Sequence, residues 1–192
     1  MNVKSYIQDS IDTKLKIQND ERFLHDINVI ADVIVNAYRN NNKVITSGNG
    51  GSAADAQHIA CEFVGKFLLD RPGLEAYALT TNSSILTAVG NDCGYEYIFK
   101  RQLQAISKKG DVFIAISTSG NSQNIVQALK YAKSNGVICV GLTGLMECEM
   151  DNYCDYILHV PSVKTPIIQE SHIMIGHIIC SIVENTIFNR EE

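Results

Sequence analysis

The chain has 192 residues, of which 45% are hydrophobic and 19% charged, a composition typical of one folded domain and not of a disordered segment. Its formal net charge of -5 provides no basic excess to neutralise phosphates, so we expect no nucleic-acid partner. The six cysteines form no C-x-x-C pair, no apolar run reaches membrane-spanning length, and the N-terminus has no signal-peptide pattern. These features predict a cytoplasmic protein with reduced thiols and no membrane partner.

Two amphipathic helices are predicted before the first strand. The apolar residues Val3, Ile7, Ile11 and Leu15 recur at helical spacing over residues 3–19, and a second helix is predicted from about residue 20 to residue 40. A doubly wound sheet does not need both helices. We therefore predict a single domain over residues 1–192, in which residues 1–41 form a helical pair used in oligomerisation and residues 42–192 form an α/β sandwich.

Strands and helices alternate in the rest of the chain. Strands are predicted at residues 44–46, 76–79, 111–116, 137–142 and 156–160. Helices are predicted at residues 52–68, 95–106, 123–134 and 165–188, with a short one at 146–150 and another that starts at residue 85 and is interrupted at Gly90-Asn91-Asp92. Because the strands are apolar throughout, we expect a parallel sheet covered on both faces, with ligands bound beyond the carboxyl ends of its strands.

A glycine-rich loop follows the first strand. Residues 47–52 read S-G-N-G-G-S and lead into a helix, an arrangement whose free N–H groups favour an anion. The helix then carries His58 and Glu62 four residues apart, hence on one face, as an acid/base or metal-binding pair would require. The structural alternative is a tight turn followed by a surface ion pair that contributes only about 0.2–0.5 kcal/mol.

The same loop contains a formal G-x-G-x-x-A pattern at Gly48, Gly50 and Ala53. A dinucleotide site would also place an acidic residue at the end of the next strand, but the nearest candidate, Glu75, precedes that strand. We therefore expect no nucleotide cofactor.

A second polar loop follows the third strand. Residues 117–122 read S-T-S-G-N-S, so four hydroxyl groups surround one glycine at the start of a helix. The lysine of a nucleotide P-loop is missing, which argues against a triphosphate with Mg²⁺ and favours a single phosphate group. Some of these hydroxyls could instead only cap the helix.

The last predicted helix carries Gln169 and, about two turns later, His177. Its other residues are mainly Ile, Met and Cys, so His177 is either a hydrogen-bonded core residue or, together with Gln169, part of the polar lining of a cavity.

Four motifs taken together resemble the bacterial phosphoheptose isomerases of the sugar isomerase (SIS) superfamily. They are G-N-G-G-S-A-A-D-A-Q-H, V-G-N-D-C-G-Y, I-S-T-S-G-N-S-x-N and I-Q-E-S-H-I-M-I-G-H, and the similarity extends over essentially the whole chain. The resemblance implies a flavodoxin-like three-layer sandwich and a homotetramer with sites at subunit interfaces. It implies conversion of sedoheptulose 7-phosphate to D-glycero-D-manno-heptose 7-phosphate through an enediol, for nucleotide-activated heptose of lipopolysaccharide or capsule.

The resemblance also implies roles for individual residues. Phosphate binding falls to Ser117, Thr118, Ser119 and Ser122, and sugar binding to Asn49, Gly50, Gly51, Glu62, Asn91, Asp92 and Gln169. Glu62 and His177 form the acid/base pair, and some relatives hold zinc with residues that match His58, Glu62, Gln169 and His177. Zinc binding would make Glu62 a poorer base, so the two roles of Glu62 compete. Lys66 and Ile167 stand where arginine is common in the family.

The competing hypothesis is a non-catalytic SIS protein that binds a phosphosugar or a partner, as in the relatives that associate with a replication initiator. Such a protein would not need Glu62 and His177 together, so their joint presence favours an enzyme.

Overall fold

The computed structural model describes residues 2–188 of the chain, so residue 1 and residues 189–192 of the predicted domain lie outside it. The helices are α1 (Val3–Gln18), α2 (Glu21–Arg39), α3 (Gly51–Val64), α4 (Ser83–Asp92), α5 (Ile98–Ile106), α6 (Gln123–Ser134) and α7 (Thr165–Phe188). The strands are β1 (Val44–Gly48), β2 (Ala76–Ala78), β3 (Val112–Ile116), β4 (Ile138–Thr143) and β5 (Tyr156–His159). All the predicted strands are therefore confirmed, each within a few residues.

The five strands form one parallel sheet in the order β2-β1-β3-β4-β5. From β1 the chain crosses to β2 on one side and then returns to β3 on the other, which makes the gap between β1 and β3 the topological switch point. The last paired residues of these two strands are Gly48 and Ile116. Because they are in register, both polar loops leave the sheet at the same level and on either side of this gap.

Two hydrophobic clusters cover the two faces of the sheet. One is contributed by α2, α3 and α7 and contains Ile30, Phe63 and Ile175. The other is contributed mainly by α5 and α6 and contains Phe99 and Leu129. Successive strand residues alternate between the clusters, which explains why the strands are apolar throughout. The predicted three-layer parallel sandwich is confirmed.

The apolar stripe of helix α1 faces away from the core, although Ile17 near the end of the helix is buried in it. Val3, Ile7, Ile11 and Leu15 are all exposed, whereas the salt bridge between Lys14 Nζ and Glu170 Oε1 (2.6 Å) attaches the helix to α7. Together with residues of α2 and α7, the stripe borders an apolar groove of about 410 Å³.

Three predicted helix boundaries were wrong. Helix α3 ends at Val64, well before Leu68, because hydrogen bonds from outside the helix fix the segment that follows. Helix α4 continues through Gly90 to Asp92, and the Asn82 side chain, which accepts a hydrogen bond from the Ile85 N–H group, caps its start. Such a cap contributes about 1 kcal/mol, comparable to the cost of one glycine in a helix. A 3₁₀ helix at Glu149–Asn152 replaces the helix predicted at 146–150.

Helix α7 has 24 residues and, by length and composition alone, could cross a membrane. Half of its apolar window is buried inside the protein, where it packs against α2 and α3. Its apolar character is therefore that of a core helix.

One polar residue of α7, His172, is fully buried. Its Nε2 lies 3.1 Å from the carbonyl oxygen of Thr143 at the end of β4, and among the described residues its Nδ1 has no partner. Burial lowers the pKa of His172 to about 4. The ring is thus neutral at pH 7 and donates its one proton to Thr143.

Acid is expected to destabilise the fold through His172. A histidine in the unfolded chain has a pKa near 6.5. Between pH 7 and pH 5 residue 172 therefore becomes protonated in the unfolded chain but stays neutral in the folded protein. The stabilisation present above pH 6.5 is therefore lost progressively as the pH falls towards 4. Over the range from pH 7 to 5, we expect the unfolding free energy of the wild type to fall by about 2 kcal/mol more than that of His172→Gln. Denaturant unfolding at equal protein concentration measures this, and an equal fall in both proteins would contradict the prediction.

Candidate active site

The loop after β1 depends on glycine at three positions. A Cβ at Gly48 would lie 2.3 Å from the carbonyl oxygen of Ser52, and Gly50, which precedes α3, has a φ of +55°. A Cβ at Gly51 would lie 2.6 Å from Nε2 of Gln169. The loop thus brings the first turn of α3 directly against the Gln169 side chain of α7.

The loop after β3 presents its hydroxyl groups in different environments. Ser117 is buried and its Oγ donates to Oγ of Ser122 at 3.2 Å, while Thr118 is half-buried and Ser119 is exposed. Thr118 and Ser119 line a cavity of about 300 Å³ that Gly144 and the start of α7 also border. This volume is at the lower end of the range found for small-molecule sites.

Two asparagines hold the loops together. Asn49 Nδ2 donates to Asn124 Oδ1 at 2.9 Å, and Asn124 Nδ2 donates to Asn49 Oδ1 at 2.7 Å. The hydroxyl group of Tyr95 also donates to Asn49 Oδ1, at 3.2 Å. Asn124 was not among the predicted site residues, although it ends the S-T-S-G-N-S-x-N motif, and it ties the first turn of α6 to the loop after β1.

Asn91 and Asp92 are not joined to the two loops. Both are exposed at the end of α4, and Asn91 Nδ2 donates to Asp92 Oδ1 at 2.8 Å. Across residues 2–188, no hydrogen bond or ion pair connects either side chain to residues 47–52 or 117–122. Their role in sugar binding stays a prediction.

The structure brings His58, Glu62 and His177 into one cluster. Nε2 of His58 lies 2.9 Å from Oε1 of Glu62 and 3.2 Å from Nε2 of His177. One potential ligand atom from each of the three residues lies within 4.8 Å of the others. The His58 side chain is 48% exposed and that of Glu62 20%, so the cluster is open to a ligand.

Close packing of α3 on α7 makes this cluster possible. A Cβ at Gly176 would lie 2.7 Å from Cδ1 of Ile59, so the glycine before His177 admits the isoleucine after His58. The Phe67 ring also packs against the His177 ring, with centroids 5.6 Å apart and an interplanar angle of 31°. Of the two interpretations of His177, the structure favours the polar lining, because the buried core histidine of α7 is His172.

The cluster offers two imidazole nitrogens and one carboxylate oxygen, donors that suit zinc. Three protein ligands would leave a coordination position for a substrate, as in catalytic zinc sites. Gln169 lies against Gly51, and its predicted role as a fourth ligand stays a prediction.

The two positions that depart from the family's arginines have different environments. The Lys66 side chain is exposed just after the end of α3, whereas Ile167 is fully buried in the first turn of α7. In this protein, residue 167 is therefore part of the hydrophobic core.

Comparisons with known proteins agree with this architecture. A family model described as the SIS domain matches residues 5–144. The phosphoheptose isomerase of Aneurinibacillus thermoaerophilus is 57% identical over 189 residues, which cover 98% of this chain and 96% of the relative. Phosphoheptose isomerase 2 of Campylobacter jejuni is 54% identical over 188 residues, covering 98% and 94%.

Solved structures of phosphoheptose isomerases are also similar to this protein. The phosphoheptose isomerase of Neisseria gonorrhoeae superposes with a TM-score of 0.89 at 36% identity, covering 95% of this chain and 97% of that one. The Francisella tularensis phosphoheptose isomerase gives a TM-score of 0.91 at 34% identity, covering 95% and 96%. The chain therefore belongs to the SIS domain family and, within it, to the phosphoheptose isomerases.

Proposed function

We propose that this protein is an aldose–ketose isomerase that converts sedoheptulose 7-phosphate into D-glycero-D-manno-heptose 7-phosphate through an enediol. The observation that carries the proposal is the meeting of Glu62 and His177 on α3 and α7, in a chain 57% identical to a phosphoheptose isomerase. The first turns of the same two helices border the two loops suited to a phosphorylated sugar. The product would supply nucleotide-activated heptose for lipopolysaccharide or capsule.

The loop after β3 is the proposed phosphate site. Ser117, Thr118, Ser119 and Ser122 supply hydroxyl donors, and the start of α6 adds the favourable end of a helix dipole. A phosphate at this loop would extend the sugar across the switch point towards α3. The loop after β1, with Asn49, Gly50 and Gly51, would then contact the sugar hydroxyls, and Gln169 would lie beside them.

The proposed chemistry needs two proton transfers, and the cluster has two groups suited to them. The Glu62 carboxylate removes a proton from C1 of the ketose and returns it to C2. His177 moves the second proton from the hydroxyl at C1 to the developing oxyanion at C2, a role that suits an imidazole because its ring nitrogens can donate and accept a proton. The product carries its carbonyl at C1 and a hydrogen and a hydroxyl group at C2, so every proton is accounted for.

His58 contacts both members of this pair through a single nitrogen atom. Its Nε2 proton can stabilise the Glu62 carboxylate, while in the other tautomer the Nε2 lone pair can accept from His177. Through Nε2, His58 can therefore bond to one member of the pair at a time.

The same three side chains, with Gln169 as the expected fourth, are the residues that would hold zinc. A bound zinc ion supplies Lewis-acid polarisation of the sugar carbonyl and orientation of the sugar oxygens. Glu62 would then be shared between ligand and base.

Replacing His58 by alanine is expected to lower the zinc content of the protein. Protein purified without chelator or nickel resin is analysed for metal, and we expect at least a tenfold weaker zinc affinity for His58→Ala, in line with about 10- to 100-fold effects of perturbing a metal site. His25→Ala, an exposed histidine of α2, is the control and is expected to retain wild-type zinc. Equal zinc content in both variants would place the ion elsewhere.

The protein is further proposed to be a cytoplasmic homotetramer whose sites lie at subunit interfaces. The exposed stripe of α1 and the apolar groove between α1, α2 and α7 support this, because single-chain proteins rarely leave such surfaces uncovered. Residues 1–41 would then serve the oligomer, as the sequence predicts.

A product assay tests the proposed function. We expect turnover of sedoheptulose 7-phosphate and much slower turnover of ketose phosphates with shorter chains, such as fructose 6-phosphate. Tight binding of sedoheptulose 7-phosphate without turnover would instead support the non-catalytic hypothesis.

A further inference from the structure

A second pair of charged residues, Arg71 and Glu184, contacts the C-terminal end of α3 and the segment after it. This pair takes no part in the reaction described above. Nε of Arg71 and Oε1 of Glu184 are 2.8 Å apart, and the two side chains are only 2% and 1% exposed. Arg71 lies in the segment after α3, and Glu184 lies on α7, two turns beyond His177.

The carboxylate of Glu184 fixes the segment after α3. Oε1 accepts from the backbone N–H group of Phe67 at 3.1 Å, and Oε2 accepts from those of Leu68 at 2.7 Å and Leu69 at 3.0 Å. Burial alone would raise the pKa of Glu184, but these donors and Arg71 hold it below its ordinary value. Glu184 is therefore an anion that determines where three successive residues lie.

The guanidinium group of Arg71 fixes the end of α3 itself. Nη2 donates to the carbonyl oxygen of Glu62 at 2.8 Å, and Nη1 donates to those of Phe63 at 2.7 Å and Gly65 at 3.0 Å. Two of these carbonyl groups belong to the last turn of the helix and the third to its C-cap residue, Gly65, where carbonyl groups lack intrahelical partners. Arg71 thus caps the helix at the residue that carries the proposed base.

The two halves of this arrangement reach both members of the acid/base pair. Arg71 holds the backbone of Glu62, and Glu184 holds the backbone of Phe67, whose ring packs against His177. A buried ion pair is weak support for stability, since apolar residues of similar volume often serve as well. Apart from one bond from Arg71 Nη1 to the carbonyl oxygen of Pro72, the backbone hydrogen bonds of this pair all go to residues 62–69, the end of α3 and the segment after it.

We propose that Arg71 and Glu184 are positioning residues that hold Glu62 and His177 in register for proton transfer. The kinetic consequence rests on the proposed function; the structural consequence, the placement of the Phe67 ring on His177, does not.

The test compares Glu184→Gln with a matched control, Asp111→Asn. Asp111 is also a buried carboxylate with a cation, Lys43 Nζ at 2.8 Å, and it also accepts backbone N–H groups, those of Lys43 and Lys108. It lies at the amino ends of the strands, away from the site. Both variants are expected to melt at lower temperature. At a temperature where both are folded, only Glu184→Gln is expected to lose kcat, by about 10- to 100-fold with KM nearly unchanged, as small misplacements of catalytic groups do.

A second readout does not depend on activity. The ring current of Phe67 acts on the ring protons of His177, whose NMR signals are assigned by their loss in His177→Asn. In Glu184→Gln these signals are expected to move towards their positions in Phe67→Leu, while in Asp111→Asn they stay at the wild-type positions. If the wild type turned over no heptose phosphate, the proposed function would fail and this arm alone would decide the inference.

Should Glu184→Gln not fold, Arg71→Lys replaces it, because lysine keeps the charge but cannot bind several carbonyl groups with a planar fork. Wild-type positions of the His177 signals in the tested variant, or a kcat equal to that of Asp111→Asn, would overturn the proposal.

Discussion

Replacing Glu62 by glutamine is expected to lower kcat for sedoheptulose 7-phosphate by at least about a hundred-fold, the usual contribution of one acid/base group. Glutamine keeps the shape of the side chain and can still accept the contact from His58, but it cannot take up a proton from carbon. We expect KM to change little, since the phosphate loop is untouched. Steady-state rates measured by detection of the aldose product give both constants.

His177→Asn is expected to lower kcat by a similar factor, because it removes the group that transfers the oxygen-bound proton. The two roles can be separated by running the reaction in D₂O and following deuterium at C1 of the unreacted ketose. If Glu62 handles the carbon-bound proton, exchange at C1 should fall further in Glu62→Gln than in His177→Asn. The reverse order would assign the roles the other way round.

A matched control is Glu75→Gln, which removes an exposed carboxylate before β2 and is expected to keep the wild-type rate. Wild-type rates in Glu62→Gln or His177→Asn would remove that residue from the mechanism. Zinc content measured on the same samples separates loss of a base from loss of a ligand. If the Glu62→Gln protein keeps its zinc but has a much lower kcat, the result supports the role of Glu62 as the base.

Much of the fold could be predicted because its signals are local. Each predicted strand is centred on an apolar run, and the first two helices show a helical period in their own residues. His58 and Glu62 could be placed on one face for the same reason, since helical spacing alone decides it. The two polar loops could be placed at one edge because parallel strands share their carboxyl ends.

The rest required contacts between distant parts of the chain. His177 and His58 are 119 residues apart, and their meeting depends on Gly176 accepting Ile59 between two helices. Nothing in the composition of α7 distinguishes His177 from His172, one half-exposed and the other fully buried. The early end of α3 depends on hydrogen bonds from Arg71 and to Glu184. Glu184 binds the backbone after α3 although it lies more than a hundred residues further along the chain.

The second large effect is expected at Gly120, in the proposed phosphate loop. Its φ of +64° is unfavourable for other residues, and a Cβ there would lie 2.1 Å from Sγ of Cys148 and 2.9 Å from Oγ1 of Thr143. Gly120→Ala should therefore displace the backbone between Ser119 and Ser122. Each hydrogen bond to a charged group contributes about 1.5–3 kcal/mol, so losing one should raise KM for the sugar phosphate by about 10- to 100-fold.

The clash with Cys148 allows a test by a second substitution. Removing the Cys148 side chain should partly restore KM if the clash raises it, but not if Gly120→Ala only lowers the stability of the protein. Removing the side chain in Gly120→Ala/Cys148→Gly opens most of the space that the new methyl group needs, so we expect KM to recover by up to about tenfold. The contact with Thr143 Oγ1 and the φ strain of about 1–3 kcal/mol remain and prevent full recovery. Cys148→Gly alone serves as the reference for the loss of the sulfur. The unaltered catalytic cluster on α3 and α7 should leave kcat of the single variant close to wild type at saturating substrate. A KM equal to that of wild type in Gly120→Ala would show that phosphate binding does not depend on the conformation of this loop.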